Sequence, residues 1–171
     1  MTKEFLNFTV VGSEALKATF RMHASGVAII TGSTVSEEPF GFTATSVTSL
    51  GSTPPLVSFN VARGSSSYQH LVPGSKVAIH TLCAKNHELA IRMAGPKENR
   101  FTANDFAMED GVPVFPAASS ILICQIRERY EIEANAVVIA DALRSTEALE
   151  EARPLLYYRR GYLTATEQLG Q

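Results

Sequence analysis

Hydroxyl side chains are concentrated in one stretch of the sequence that ends in an apolar run. The stretch "GFTATSVTSLGSTPP" runs from residue 41 to residue 55, and its hydroxyl residues are Thr43, Thr45, Ser46, Thr48, Ser49, Ser52 and Thr53. The apolar run that follows, residues 56–62, contains Asn60 near its end. Thr43, Thr45, Ser46 and Asn60 could bind the polar edge of a planar ring while the apolar strands contact its face.

A second polar group follows directly, at the start of a predicted helix. Arg63 precedes Ser65, Ser66 and Ser67, and serines at a helix start cap its free amide groups. The positive end of the helix dipole also lies there, so a phosphate would gain charge-assisted hydrogen bonds from Arg63 and the hydroxyls together. The alternative stays open that the hydroxyls are turn residues and the serines only cap a helix.

The composition excludes several classes of function. The chain has 171 residues, a length that predicts one domain over 1–171. Its 15 basic and 17 acidic side chains do not provide the basic surface that nucleic acid requires. No apolar run approaches the roughly 20 residues that span a bilayer. The amino terminus lacks a secretory signal pattern, so we expect a cytoplasmic protein that does not contact membranes.

Neither the cysteines nor the histidines form a metal or disulfide motif. Cys83 and Cys124 form no CxxC pair, and the four histidines form no HExxH. Cys83 and His87 are one helical turn apart, which is a weak metal signal, and two reduced, packed thiols are the preferred interpretation. We therefore expect no metal. His80, on a predicted strand, is expected to be a core or groove histidine rather than a catalyst.

Short apolar runs bounded by glycine and proline predict a mainly β protein. Strands are expected over residues 26–32, 56–62, 76–82, 121–132 and 135–143, with a hairpin over 154–163 that turns near Arg160 and Gly161. Alternation in the strand 121–132 divides its second half between two faces: Ile126, Tyr130 and Ile132 on one, Arg127, Arg129 and Glu131 on the other.

Helical signals are fewer and shorter. They lie over residues 13–23, from the serines at 65–67 onward, over 85–95 and over 145–152. Many short strands with few helices favour a closed barrel over an open parallel sheet. No GxGxxG motif follows a strand, which argues against a Rossmann fold.

Four segments together carry a resemblance to a known family. They are "GVAIITG", "GFTATSVTSLGSTPPLVSFNVARGSSSYQHL", "RMAGPKENRF" and "PLLYYRRGYL", in this order. From about Phe20 to Tyr162 the chain resembles the short-chain flavin reductases that serve two-component monooxygenases. The resemblance implies an FMN-binding split β-barrel with a few short helices. It also implies a homodimer and the reduction of FMN, or of FAD, by NADH or NADPH.

The resemblance implies positions for the flavin as well. It places Thr45, Ser46 and Ser49 near the ring and its ribityl chain, Asn60, Val61 and Ala62 against the ring, and Arg63, Ser65 and Ser67 at the phosphate. The residue types add Thr43 at the ring edge and Ser66 at the phosphate, as argued above. Arg100 and Phe101 match a pair that borders the pocket, and Tyr158 lies near the nicotinamide side.

Two positions depart from the family pattern. Ala134, Asn135 and Ala136 stand where many relatives have Gly-Asp-His, and Tyr158 stands where a histidine is frequent. Both histidines are associated in the family with the nicotinamide end of the pocket. The departures therefore bear on the electron donor and leave the flavin site intact.

Three functions follow from these observations. The favoured one is an NAD(P)H:flavin oxidoreductase that supplies reduced flavin to a partner monooxygenase. The second is a split-barrel sensor or carrier that binds flavin without nicotinamide turnover, and the third is a structural or interaction partner. Hydride transfer between cofactors needs binding and orientation more than a protein acid or base, so no catalytic residue is predicted.

Overall fold

Twelve strands, two α-helices and three short 3-10 helices form the part of the chain that the computed structural model describes, residues 7–149 and 151–166. The helices are α1 (Gly12–Arg21) and α2 (His87–Ala94). The strands are β1 (Ser25–Gly26), β2 (Ala28–Ser33), β3 (Pro39–Ala44), β4 (Thr48–Ser52), β5 (Pro55–Ala62), β6 (Lys76–Thr81), β7 (Ala107–Glu109), β8 (Val112–Val114), β9 (Ser120–Ile132), β10 (Asn135–Ser145), β11 (Leu155–Tyr158) and β12 (Gly161–Thr164).

Seven strands form one antiparallel sheet in the order β3-β2-β6-β9-β10-β5-β4. Its two edge strands are consecutive in the chain, and residues 45–47 alone separate Ala44 from Thr48, so these two residues are at most about 14 Å apart. The sheet must therefore curl until its edges approach each other. Among the described residues no pairing joins β3 to β4, so the predicted barrel is open along this seam.

Both faces of the central strands are buried. Ile30 and Val77 point into the barrel, where they pack with Phe59, while Ile29 and Ala78 point to the opposite face. There they pack in a second core together with α2 and β8. Successive side chains of a strand point to opposite faces, which explains why β2 and β6 appear in the sequence as continuous apolar runs.

Most of the hydroxyl-rich stretch forms a strand, so the alternative that its hydroxyls belong to a turn holds only for a small part of it. Residues 48–52 form the edge strand β4, which pairs with β5, and only Thr53 and Pro54 form the turn between them. All five residues of β4 are exposed. Water can therefore satisfy most of these hydroxyls, because an edge strand leaves one side of its backbone and its outer face in solvent.

The predicted alternation in β9 is wrong beyond Ile126, because a bulge reverses it. Ile126 pairs with Ala140 and Glu128 pairs with Ile139, so Arg127 has no partner residue. An extra residue on one strand moves every later side chain to the other face. Arg129 and Glu131 consequently lie on the face of the barrel core, whereas Tyr130 and Ile132 are exposed.

The helix predicted from the serines onward is also wrong. Residues 63–67 form turns, and only Tyr68–His70 form a short 3-10 helix. Arg129 Nη1 donates to the carbonyl oxygens of Tyr68 and Leu71, each at 3.0 Å, and Pro73 lacks the amide that a continuing helix would need. A phosphate site at this point must rest on side chains and turn amides, without a helix dipole.

The helix predicted over residues 145–152 is wrong for its described part, and Glu150 lies outside the described residues. Ser145 ends β10, and residues 146–149 are irregular. The amides of Thr146 and Leu149 donate to the carbonyl oxygens of Ile121 and Ser119, each at 2.9 Å. These bonds hold the segment alongside the start of β9.

The remaining predicted elements are confirmed within a few residues. The first helix, the helix that ends at Gly95 and the final hairpin all form, and the hairpin turns at Arg159 and Arg160. Over residues 7–149 and 151–166, no helix has the length and hydrophobicity needed to cross a membrane.

Candidate functional site

A groove of about 850 Å³ brings together five of the predicted site residues, namely Arg63, Ser65, Ser66, Arg100 and Phe101. We call it the serine groove. Its other walls come from the segment that enters β3, from the 3-10 helix and from the turn after α2, and include Glu38, Phe40, Tyr68, His70 and Lys97. The groove therefore combines hydroxyls, aromatic rings, three basic side chains and the two carboxylates of Glu38 and Glu98. The hydroxyls and arginines can hold a phosphate attached to a larger ligand.

Arg63 is positioned by the turn between β9 and β10. Its Nη1 donates to the carbonyl oxygen of Glu133 at 3.1 Å, and its Nη2 lies 3.5 Å from Oε2 of Glu131. The Arg63 amide donates to the carbonyl oxygen of Ala134 at 2.9 Å. The guanidinium is nevertheless about half exposed, so it can reach a ligand in the groove.

Glu131 links three side chains at this end of the barrel. The Tyr68 hydroxyl donates to Glu131, and Arg129 Nη2 lies 3.5 Å from the same carboxylate. The hydrogen bond from Tyr68 and the charges of Arg63 and Arg129 lower the pKa of Glu131, so it is ionised at neutral pH. Arg129 also stacks its guanidinium over the Tyr68 ring, 4.2 Å from the centroid.

None of Tyr68, Arg129 and Glu131 is predicted as a site residue from the sequence. Simple alternation places Arg129 and Glu131 on the solvent face, because the bulge at Arg127 has no signal in the residue types. Tyr68 lies in the segment predicted as an ordinary helix. The hydroxyls of Ser65 and Ser66 are brought into the groove, whereas Ser67 is fully buried and its hydroxyl has no partner among the described residues.

Arg100 joins two elements at the wall of the serine groove. Its Nε and Nη2 donate to the carbonyl oxygen of Gly95 at 3.0 and 2.9 Å, and its Nη1 donates to that of Gly41 at 2.6 Å. Partial burial lowers the pKa of the guanidinium. Phe101 packs on Phe115 with ring centroids 5.8 Å apart. Arg100 thereby fixes β3 against the residue that follows α2, and Phe101 forms part of the groove wall.

A second groove, of about 570 Å³, contains Thr45, Ser46 and Asn60. We call it the hairpin groove, because its opposite wall is built by the end of α1 and the β11–β12 turn, with Arg21, Tyr157, Arg159 and Arg160. Ser46 Oγ accepts a hydrogen bond from the backbone amide of Asn60 at 3.0 Å. This bond holds the seam loop against β5 and leaves the Asn60 side chain exposed.

The outer face of β5 joins the two grooves. Asn60 and Ala62 are both exposed on this face, and Arg63 follows at the strand end. In an extended strand, Asn60 and Arg63 are separated by about 10 Å. Asn135 pairs with Ala62 and lies on the same face, whereas Ala136 is buried opposite Val61. The triplet 134–136 thus borders the predicted flavin strand directly.

Six of the predicted site residues line neither groove: Ala62 and Ser67, described above, and Thr43, Ser49, Val61 and Tyr158. The Thr43 hydroxyl donates to the carbonyl oxygen of Ala90 at 2.7 Å, and Val61 is part of the barrel core. Ser49 is exposed on β4. Tyr158 contacts the end of α1 through its hydroxyl, 3.8 Å from the Met22 sulfur. Its neighbour Tyr157 is the tyrosine that lines the hairpin groove.

His80 is a core histidine, as expected, and both of its nitrogens are used. Nδ1 is 3.1 Å from the carbonyl oxygen of Ile29, and Nε2 accepts from the Phe115 amide at 3.1 Å. These partners fix the neutral tautomer that carries its proton on Nδ1. Burial lowers the pKa of His80 to about 4, so the ring is neutral at physiological pH and lies away from both grooves.

Comparison with known families gives one match over most of the chain. The model of the flavin reductase like domain matches residues 20–166. An NADH:FMN oxidoreductase of Rhodococcus qingshengii is 34% identical over 160 residues, covering 91% of this chain and 82% of that protein. A probable flavin reductase of Rhizobium meliloti is 30% identical over 158 residues, covering 91% of this chain. The chain spans 50% of that relative's length.

Solved structures agree with these matches. A flavin reductase domain protein from Arthrobacter sp. FB24 superposes with a TM-score of 0.84 at 37% identity, covering 92% of this chain and 98% of that one. An NADH:FAD oxidoreductase from Streptomyces globisporus C-1027, solved with NAD and FAD fragments, superposes with a TM-score of 0.78 at 25% identity. Here the coverage is 86% of this chain and 89% of that one.

Proposed function

Because the chain belongs to the flavin reductase like domain family, we propose that it reduces FMN, and also FAD, with NADH or NADPH as the electron donor. The predicted family and split-barrel fold are confirmed, and with them the class of oxidoreductase. The observation that carries the proposal for this chain is the serine groove, where Arg63, Ser65 and Ser66 meet beside the outer face of β5.

We place the flavin phosphate in the serine groove and the ring toward the seam. Arg63, Ser65 and Ser66 offer the charge-assisted and hydroxyl hydrogen bonds that a phosphate monoester takes. Asn60 and Ala62 then lie along the ring, and Thr45 and Ser46 lie at its polar edge in the hairpin groove. The distance of about 10 Å along the strand between Asn60 and Arg63 is on the scale of a ribityl phosphate chain.

The protein's task in this reaction is binding and orientation. A bound flavin supplies the hydride acceptor and a nicotinamide nucleotide supplies the donor. Arg63 and the serines fix one end of the ligand, while the Ser46–Asn60 hydrogen bond fixes the strand against which the ring lies. Holding two rings at reactive distance can contribute most of the rate without a protein acid or base. His80 is buried and fully hydrogen-bonded, so it takes no part.

Asn135 favours a second candidate function. It stands beside Ala62 on the exposed face of the flavin strand, at the place of the family's frequent aspartate, and Ala136 replaces the histidine. A protein that binds flavin but lacks these groups could serve as a sensor or carrier without nicotinamide turnover. Anaerobic mixing of a trace of protein with NADH and excess FMN separates the two candidates. Catalytic loss of oxidised flavin supports a reductase that releases its product, whereas FMN that binds to the protein but stays oxidised supports a sensor or carrier.

We further propose that the protein acts as a homodimer in the cytoplasm and supplies reduced flavin to a monooxygenase. Leu16 and Phe20 on α1 are 60% and 62% exposed, and α1 buries none of its residues in a single chain. A second copy that covers this helix would remove the apolar area from water. Sedimentation of the purified protein as a monomer at micromolar concentration would contradict the dimer.

The phosphate placement has a direct test in the variant Arg63→Ala. Only FMN presents the phosphate, so loss of a charge-assisted hydrogen bond should raise the KM for FMN by about tenfold and leave that for riboflavin nearly unchanged. Arg153→Ala is the matched control, since Arg153 is exposed and lines neither groove. Equal losses for FMN and riboflavin would refute the placement.

A further inference from the structure

One wall of the hairpin groove concentrates basic side chains. Lys17, Arg21 and His23 come from α1 and the residues after it, and Arg159 and Arg160 come from the β11–β12 turn. No aspartate or glutamate lines the groove, although acidic residues outnumber basic ones in the whole chain by 17 to 15. The electrostatic potential in this groove is therefore positive, which favours an anionic ligand.

The arginines of this wall have no partner among the described residues. Elsewhere, Arg63, Arg92, Arg127, Arg129 and Arg144 pair with carboxylates, and Arg100 donates to backbone carbonyls. Arg153, which lines neither groove, is the other arginine without a side-chain partner among the described residues. Lys17 is held by Glu14 at 2.8 Å. Within residues 7–149 and 151–166, the side chains of Arg21, Arg159 and Arg160 form neither an ion pair nor a hydrogen bond. Their donors remain available to a ligand.

The turn that carries two of these arginines is built from unfavourable residues. Arg159 and Arg160 form a two-residue turn between the paired residues Tyr158 and Gly161, with φ of 52° and 67°. Such a turn prefers Asn-Gly, because most L residues resist positive φ. Among the described residues it is the one place where two consecutive non-glycine residues adopt this conformation. Folding of the hairpin does not explain why arginines occupy both positions.

We propose that Arg21, Arg159 and Arg160 bind the diphosphate of the nicotinamide nucleotide, an inference that rests on the reductase activity proposed above. In the placement proposed above, the flavin phosphate lies in the serine groove. The edge of the ring then faces Thr45, Ser46 and Asn60 in the hairpin groove. A nicotinamide stacked on a ring in that position would place its phosphates in the same groove, which the three arginines also line. The adenylate half of FAD would instead extend from the serine groove, so the arginine wall is left to the electron donor.

The test uses binding in the absence of turnover. The variant Arg159→Asn/Arg160→Gly removes both charges and installs the preferred turn pair, so it should fold at least as well as the wild type. In titration calorimetry, its Kd for NAD+ should rise at least about tenfold, as loss of charge-assisted hydrogen bonds predicts. The Kd for nicotinamide riboside, which has no phosphate, should stay the same. Arg153→Ala is the control for loss of an exposed arginine.

Four results would overturn the assignment, three of them in the variants. These are an unchanged Kd for NAD+ in the double variant, an equal loss in Arg153→Ala, and a loss for FAD that NAD+ does not share. Absence of any NAD+ binding to the wild type would also overturn it. Since no electron is transferred in the titration, a protein that binds NAD+ through these arginines yet reduces no flavin would contradict the reductase activity alone.

Discussion

Arg63 has an ionic partner that a bound phosphate would have to displace or share. Glu131 Oε2 lies 3.5 Å from Arg63 Nη2, and both side chains are about half exposed. Solvent screens such exposed pairs, so they contribute little to stability. The pair can therefore hold the arginine in place between turnovers and yield to a ligand at low cost.

The variant Glu131→Gln tests this competition. Removing the carboxylate charge leaves Arg63 fully available, so the KM for FMN should fall, by up to about fivefold for an exposed pair. Glu128→Gln, on the other face of β9, is the control and should leave the KM unchanged. A higher KM for FMN in Glu131→Gln would mean that the carboxylate mainly positions Arg63 and Tyr68 for the ligand.

His80 predicts a loss of stability in acid. Its pKa is about 4 in the folded chain and about 6.5 when unfolded, so the unfolded state takes up the proton first as the pH falls. The stabilising contribution is complete above pH 6.5 and is lost progressively between pH 6.5 and 4. Between pH 7.5 and 5, this group should lower the free energy of unfolding by about 2 kcal/mol.

Urea unfolding of the wild type and of His80→Gln at both pH values isolates this effect from the titration of the carboxylates. Gln can still donate to Ile29 and accept from Phe115 but does not titrate. The wild type should lose about 2 kcal/mol more than the variant on acidification. Equal losses in the two proteins would show that His80 can be protonated without unfolding.

At the scale of the elements, strand β3 depends on a close approach that only glycine permits. A Cβ on Gly41 would lie 2.7 Å from the carbonyl oxygen of Ile30 and 2.8 Å from Cε of Met93. The backbone oxygen belongs to the neighbouring strand β2 and cannot move away without breaking the sheet. The Gly41 carbonyl also accepts from Arg100, so any shift of β3 reaches the serine groove.

Gly41→Ala should therefore destabilise the fold by about 1 to 3 kcal/mol, as overpacking does. Thermal unfolding measures the change. Gly64→Ala is the control, because nothing lies within 4 Å of the added Cβ there. Equal melting temperatures for Gly41→Ala and wild type would mean that β3 and α2 can separate freely. Arg100 would then not hold these two elements together.

The elements that are predictable from the sequence are those whose pattern is local. The apolar runs of β2, β5 and β6 and the glycine-terminated α2 are predicted from residue types alone, because burial of both faces or of one face decides them. The segments after Arg63 and Ser145 are not. Arg129 takes the carbonyls that a helix at Tyr68 would use, and β9 binds the amides of Thr146 and Leu149. Both contacts come from distant parts of the chain.

In the molecule as a whole, the two predicted polar groups lie in separate grooves that the outer face of β5 connects. The sequence places Thr45 next to Ser46, and Arg63 close to the serines. In the structure, the outer face of β5 connects these two groups. The sequence pattern predicts the residues of both ends, and tertiary structure alone shows that they occupy two grooves.

We propose above that this barrel transfers electrons from a nicotinamide nucleotide to a free flavin. The most direct measurement is NADH oxidation by the purified protein in air, without added flavin, with FMN and with FAD. We expect no sustained rate without flavin and a rate that saturates with FMN. A protein that binds FMN in a titration but gives no flavin-dependent NADH oxidation would contradict the reductase activity and establish a flavin carrier or sensor.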